Sequence, residues 1–508
     1  MVATLFASVV GDTGSSARSS SLRRTAASWC DSPTRLPASS MVAAKAHGWP
    51  CGGKAMTDTF DLRGKWWLPD SEDHQVFGTL TWSADSGGEL HLHDELRPVA
   101  WLDKVLADGS VQKYRVHRGG FQQTYPLIFG RVGDRAYTLL DSFRLSAREY
   151  GSDLRAEKVH VNRFLEGAWF EDPDELSVDR IVIDIRHLTG WVGHSGLEVE
   201  YPRIEGTDKD LFAVITAKTL PALSIEEEDL TFRLTQGLRG TGDYVHDLGV
   251  AQEWSLQIQT PEPQPLATFL ATASDFQDLV SIATGKTAQF EKVVLHHPDI
   301  PLLSVAGTPI GDARDDITYY IRWSNRTAPC DPIKRHEMYF SFADLGGIEG
   351  LGRWLAVAAD YRTELGRVMA TRYREAMVIE DRIFNVSAAL DSFDKHRRTT
   401  GKHVKYAKRI KQCVDLAGQP FLDLIVIDPH LWVERVVTTR DDLAHHRQQI
   451  RTDGTVGDHL LAEQLFWLFA LCMLRLSDAP DVVYDGISKH RKVRWLTERA
   501  NASRTEPA

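Results

Sequence analysis

Cysteine is scarce in this chain. Five residues in 508 (Cys30, Cys51, Cys330, Cys413 and Cys472) are scattered, with no CxxC pair and no metal-ligand spacing. That pattern fits reduced thiols in a cytoplasmic protein better than a disulfide framework. No segment reads GxxxxGK[ST], and no GxGxxG follows a strand, so no phosphate-gripping loop and no cofactor are expected. The longest apolar run, Leu465 to Leu474, falls short of the ~20 residues that cross a bilayer. A buried helix, and no membrane contact, is the expectation there. A net charge of −11 argues against a protein that coats nucleic acid indiscriminately. The first 55 residues lack Glu altogether and show neither helical nor strand periodicity. Their Ala, Ser, Gly and Arg content resembles a transit peptide, but an over-extended start or a disordered tail is the plainer expectation.

What is present is a globular composition, 43% hydrophobic and 25% charged, with 14 Trp for core packing. The length suggests two or three domains. Charge is unevenly placed: residues 351–508 hold 25 Lys+Arg against 21 Asp+Glu, or +4, which leaves −15 for the remainder. A positive C-terminal part is compatible with an RNA-facing end.

From Met56 the texture is β. Gly78–Trp82 and Glu89–His93 flank Ser83–Gly88, whose small residues suit a hairpin loop. Further period-two runs lie at Lys113–Val116, Ala136–Leu140, Lys158–Val161, Ile181–Ile185, Leu197–Tyr201, Leu211–Ala217, Thr231–Leu234 and Trp254–Ile258. A helical stretch at Ala267–Lys286 intervenes before strands at Lys292–Leu295 and Ile317–Trp323. Trp66 and Trp67 are expected in the core. His296, His297 and Asp299 lack a further ligand at a characteristic spacing, so no metal is expected.

From Leu351 the period becomes helical, with Trp354, Leu355, Ala358, Tyr361, Leu365, Val368, Met369 and Met377 marking one face. Helices are predicted at Ile379–Phe393, His403–Leu416 and His430–Thr439, with a new one beginning at Arg440. There Asp441 and Asp442 would open the helix, and His445, His446 and Arg447 would follow, the sign order a helix dipole prefers. Asp458–Leu476 is apolar nearly all round, as at the centre of a bundle. The reading is an α+β multidomain chain: 57–345 a large antiparallel β-rich domain, sandwich or distorted barrel, 350–495 an all-α bundle, 496–508 a disordered tail.

RNA can be cut without a metal when its own 2′-hydroxyl attacks the adjacent phosphate. The reaction needs a proton shuttle, which histidine supplies, and a fixed cation on the phosphate oxygens, which arginine supplies. Arg-x4-His occurs three times: Arg155/His160 in a β-type run, Arg398/His403 across a loop, and Arg440/His445 in the bundle. Only the third has helical surroundings.

The string Arg440-Asp441-Asp442-Leu443-Ala444-His445 resembles the HEPN ribonuclease signature, with Asp441 where Asn is common. The helix before it (LWVERVVTT) and the apolar helix after it (DHLLAEQLFWLFALCML) match that setting. Ile379 to Arg398 is similar to an early HEPN helix of ApeA-type anti-phage proteins, and Phe60 to Pro69 (FDLRGKWWLP), with GTLTW and GELHL, resembles their N-terminal domain. The resemblance implies a metal-independent endoribonuclease, a toxin acting in abortive infection. It would cleave host RNA, with tRNA the expected class. It would work as a homodimer or higher oligomer through the HEPN domain, with the β-rich domain as sensor for a phage-derived activator. It casts His445 as general acid/base, Arg440 as transition-state clamp and Asp441 as orienting residue. His446 and Arg447 are weaker candidates for substrate contact, and Glu380 for polar support. On an ideal helix residues five apart point ~140° away from each other, so a second protomer or the long Arg side chain must close the gap. Rival readings are a catalytically silent HEPN scaffold, an antitoxin-like regulator, and a ligand-binding β-domain with a helical oligomerisation tail.

Overall fold

The computed structural model describes residues 3–4, 41–43, 59–97, 100–106, 108–116, 123–150, 154–171, 176–200, 214–227, 229–242, 246, 248–322, 332–374, 376–398, 404–445 and 454–505. The expected tail at 1–55 therefore lies outside the described residues, except for two short runs. Ala3–Thr4 pairs with Thr216–Ala217, and Met41–Ala43 pairs with Ala168–Phe170.

Period-two alternation dictates the first half of the fold. Phe60, Leu62 and Trp66 alternate with exposed Asp61 and Arg63, so one face of Phe60–Trp67 is buried. Val76, Leu80 and Trp82 continue that buried face on the next strand, and Leu90 and Leu92 on the third. The hairpin expected around Ser83–Gly88 is tight, since Val76–Ser83 and Gly87–Leu92 leave only a short turn between them. Gly87 adopts φ +83° there, a conformation glycine takes without strain. Phe60–Trp67, Val76–Ser83, Gly87–Leu92, Thr124–Val132, Arg135–Tyr150 and Leu154–Val161 then close on themselves. The last strand pairs both with Gly87–Leu92 and with Arg135–Tyr150, giving a six-stranded antiparallel barrel without a free edge among these strands.

The barrel interior is aromatic. Trp66, Trp82, Tyr137, Phe164 and Tyr320 are at most 2% exposed, and the Phe164 and Tyr320 rings stack at 4.4 Å. An added Cβ at Gly130 would come within 2.3 Å of the Trp66 ring, so glycine makes room for the indole. Glu157 is fully buried and accepts hydrogen bonds from the Tyr125 hydroxyl at 2.5 Å, Arg144 Nε at 2.6 Å and the Leu96 N–H at 2.9 Å. Such a carboxylate is tolerable inside a barrel because donors surround it.

Arg135–Tyr150 also carries the fold outward. Its first half pairs with Arg163–Glu166, from which an antiparallel sheet continues through Ile317–Ile321, Phe290–His296, Ser177–Ile185, Leu248–Pro265, Leu230–Gly242 and Leu223–Glu227. The two long strands exceed the predicted Thr231–Leu234 and Trp254–Ile258. Their outer halves pair by backbone ladder while Gly237 to Gly240 stay exposed, so no alternation marks them.

Helix α1 (Leu188–Val192) places Trp191 against Phe276 and Phe342. Helix α2 (Leu266–Thr284) is predominantly buried and joins the sheet to α3 (Gly347–Asp360) and α4 (Arg362–Tyr373). Across that seam the Arg362 guanidinium grips Asp275 through contacts of 2.6, 3.0 and 3.2 Å, and the Trp354 indole donates to the Asp275 carbonyl at 3.0 Å. Tyr373 donates a short hydrogen bond to buried Asp278. One apolar core runs unbroken from the barrel through α2 into the bundle.

The remaining helices are α5 (Ile379–Arg398), α6 (Tyr406–Ala417), α7 (Gln419–Ile425), α8 (Pro429–Ala444), α9 (Gly454–Leu476), α10 (Asp481–Lys489) and α11 (Arg491–Thr505). Several boundaries depart from expectation. The face predicted over 354–377 is split at Tyr361 into α3 and α4. Pro420 sits in the first turn of α7, where its missing N–H costs nothing, after Gly418 at φ +69° has ended α6. Residues 496–505, read as tail, belong to α11. Val493, Leu496 and Ala500 are buried at helical spacing, a stripe too sparse to stand out among the charges around it. Gly457–Leu476 of α9 is long and apolar enough to cross a membrane by length and composition, longer than the run read from sequence. It lies 78% buried inside the protein.

Candidate active site

Helix α8 begins with Asp428, whose carboxylate accepts the N–H groups of His430 and Leu431 at 2.8 and 3.4 Å, and Pro429 follows at the first helical position. Trp432, Val433, Val436, Thr439 and Asp442 form its buried stripe. The Trp432 indole donates to Gln464 on α9 at 2.9 Å, and Arg435 donates to the Gly457 carbonyl at 3.1 Å. These contacts pin α8 against α9.

The expectation that a new helix starts at Arg440 is corrected. The stripe from Trp432 to Asp442 keeps three- and four-residue steps straight through Thr439 and Arg440, so nothing breaks the helix there. Arg440 lies in the last turn of α8, and His445 caps it with its N–H on the Asp441 carbonyl at 3.1 Å. The dipole reading reverses accordingly. The helix end favours the cations Arg440 and His445, and Asp441 and Asp442 sit where acids are disfavoured.

Arg440 is held on two sides. Its Nη1 donates to the Asp441 carboxylate at 2.8 Å, and its guanidinium lies 5.1 Å from the centre of the Tyr406 ring, at the start of α6. Tyr406 faces Ser387 of α5. Burial pushes its phenol well above the ordinary tyrosine value, against the pull of Ser387 and Arg440. Asp441 is thus the residue that touches both members of the pair, Arg440 through its side chain and His445 through its backbone carbonyl. The half-exposed Arg440 and the exposed His445 open to solvent at this helix end, and Lys405 and Lys408, which flank Tyr406 in sequence, are exposed as well. The contacts of Arg440 with Asp441 and Tyr406 do not involve His445.

Glu380 is exposed in the first turn of α5, about two turns before Ser387, and no described contact joins it to Arg440 or His445. His446 and Arg447 lie outside the described residues. Tyr406 was missed from sequence because it belongs to another helix and no spacing within α8 points to it.

The other Arg-x4-His pairs are placed elsewhere. Arg155 and His160 lie on one extended strand, His160 with its ring 4.9 Å from Phe143, while His403 is outside the described residues. His296 bonds to Asp316 at 3.0 Å, and His297 accepts the Asp299 N–H at 3.1 Å. Among the described residues no group of three or more His, Cys, Asp or Glu is arranged to hold a metal ion. Trp66 and Trp67 are both core, Trp67 against Phe129 and Trp169.

No curated protein and no solved structure matches this chain. One family model does, described as ApeA N-terminal domain 1, over residues 61–354. That span takes in the barrel, the second sheet, α1, α2 and the first half of α3 up to Trp354, more than half of the chain. The chain therefore belongs to the ApeA family of anti-phage defence proteins.

Proposed function

We propose that this protein is an anti-phage effector whose helical region, a HEPN-type domain over residues 350–495, is a metal-independent endoribonuclease. It cleaves host RNA, tRNA being the expected class, when the β-rich domain over residues 57–345 senses infection. The observation that carries the reading is the exposure of both Arg440 and His445 at the end of α8, in a chain with an ApeA domain.

The chemistry would run as follows. His445 takes the proton of a ribose 2′-hydroxyl while its oxygen attacks the adjacent phosphorus. The bond to the 5′-oxygen breaks as a second acid, His445 of a second protomer, gives that oxygen a proton. The products are a 2′,3′-cyclic phosphate and a 5′-hydroxyl. Arg440 forks onto the equatorial phosphate oxygens as charge builds there. Asp441 positions Arg440, and Tyr406 supports the guanidinium from below. In a homodimer joined through this domain two α8 ends would face one groove, which supplies both acid and base. His446 and Arg447, which follow directly in sequence, are the weaker candidates for further contact with the RNA.

A catalytically silent HEPN scaffold is favoured by one observation, the hold of Asp441 on Arg440. The test separates the two. Wild type, Arg440→Ala and His445→Ala are induced in a bacterium with and without phage, and tRNA is read on a denaturing gel; the purified proteins are assayed in EDTA. Loss of protection and of fragments in both soluble variants supports the ribonuclease. Protection by variants as good as wild type, or wild type that never cuts, overturns it in favour of the scaffold.

A further inference from the structure

A cavity of about 560 Å³ opens where the end of α2 meets α4, α5, α9 and α11. Its walls come from both parts of the chain. Ser281, Ile282, Gly285, Lys286, Thr287 and Tyr339 belong to the ApeA-matched span, and the remaining walls to the helices after it. The volume is that of a site for one small ligand, within the ~300–1,000 Å³ usual for such pockets.

Two features define what it could hold. The first is charge. Lys286, Arg372, Arg382, Arg491 and Lys492 line the cavity against one carboxylate, Glu463. Arg372 takes that carboxylate bidentately, at 2.5 and 2.9 Å, and lies 3.6 Å from the Phe466 ring centre. Burial pushes Glu463 up, but Arg372 outweighs it and holds the carboxyl below its ordinary range, so it remains an anion. Lys286 comes no nearer than 3.8 Å to Glu337. Arg491 and Lys492 are exposed and make no ion pair among the described residues. Five cations and one carboxylate thus line the cavity, gathered around a space rather than spread on a surface.

The second feature is a flat apolar face at the same mouth. Trp495 is 50% exposed on α11, three and four residues after Lys492 and Arg491, a spacing that puts the ring and both cations on one side of the helix. Cations next to an available indole match a ligand that is anionic at one end and planar at the other. An inorganic anion alone would leave the indole unused, and an apolar ligand would leave the cations uncompensated.

We propose that this cavity is a nucleotide site, taking the phosphates of a ribonucleoside triphosphate on Lys286, Arg382, Arg491 and Lys492 and stacking its base on Trp495. Its walls span the ApeA-matched segment and the helical bundle, so an occupant would tie the two together. The assignment does not depend on ribonuclease activity.

Isothermal titration calorimetry on the purified full chain tests it, with ATP, GTP, CTP and UTP as probes, adenosine as base without phosphate, and tripolyphosphate as phosphate without base. At least one triphosphate should bind tenfold or more tighter than either half-ligand. Trp495→Ala should weaken that nucleotide by roughly fivefold or more, as loss of a base-stacking face does, and leave tripolyphosphate unchanged. Arg491→Glu with Lys492→Glu should weaken the nucleotide and tripolyphosphate alike. All three residues are exposed, so the variants should keep the wild-type circular dichroism and melting temperature. The proposal is overturned if none of the four triphosphates binds at millimolar concentration. Binding that both variants leave intact would equally overturn it. Tripolyphosphate binding as tightly as every nucleotide would reduce the site to a simple polyanion patch and also refute it.

Discussion

Removing Arg362 should destabilise the protein in a way that depends on pH. Asp275 on α2 is 2% exposed, while its partner Arg362 on α4 is 44% exposed. Burial raises the Asp275 carboxyl above its ordinary value, and the hydrogen bonds and charge of Arg362 pull it back part of the way. In Arg362→Ala the pull is gone and burial acts alone. Breaking a fully buried ion pair by deleting one partner costs about 3–5 kcal/mol. Water already reaches Arg362, so the attraction is partly screened and the loss at neutral pH should be about 2–3 kcal/mol. When Asp275 carries a proton only a neutral hydrogen bond and some packing are missing, about 1 kcal/mol. The sign follows from linkage. A carboxyl whose folded value is raised gives stability that is present below its unfolded value of about 4 and is lost as pH rises through the folded value. Deleting Arg362 widens that gap, so stability should fall more steeply with pH than in wild type. Urea unfolding at about pH 5 and about pH 7.5 should show the larger deficit at the higher pH, and adding Asp275→Asn should flatten the difference. Equal deficits at both values, or a neutral-pH loss below about 0.5 kcal/mol, would show that the α2–α4 seam does not depend on this pair.

Other expectations concern the candidate active site and the barrel. Asp441→Asn keeps a side-chain oxygen that can accept from Arg440 and so position it, but removes an anion beside the phosphate position, an exposed pair worth at most about 1 kcal/mol, so RNA cleavage should rise by up to roughly fivefold in a gel assay; an unchanged or slower rate would mean the charge of Asp441 does not restrain Arg440. Tyr406→Phe keeps the ring beneath Arg440 and should retain cleavage, whereas Tyr406→Ala should reduce it. Equal activity in the two, measured at matched folded fraction, would remove Tyr406 from the site. In the barrel, Gly130→Ala should cost about 1–3 kcal/mol because the new methyl meets the Trp66 ring, and thermal melting should register it; an unshifted melt would mean the strands can part enough to admit it.

The sequence by itself determined the local elements and the motif. Alternation is written into residues such as Leu80 and Leu90, and a strand with one apolar face has few other ways to hide it. The stretch around Leu465–Leu474 was legible as a buried helix, and so was the Arg440–His445 string with its flanking helices, because helical spacing is local. Closure of the barrel was not, since it requires Leu154–Val161 to find both Gly87–Leu92 and Arg135–Tyr150, and partner choice among similar strands is a long-range matter. The continuity of α8 was missed because acids that signal a helix start can also occupy a last turn, when the stripe beneath them is buried. Tertiary structure alone set Tyr406 under Arg440 and drew Lys286, Arg372, Arg382, Arg491 and Lys492 around one cavity. Cations so far apart along the chain carry no common pattern; only the packing of α2 against the bundle brings their charges together.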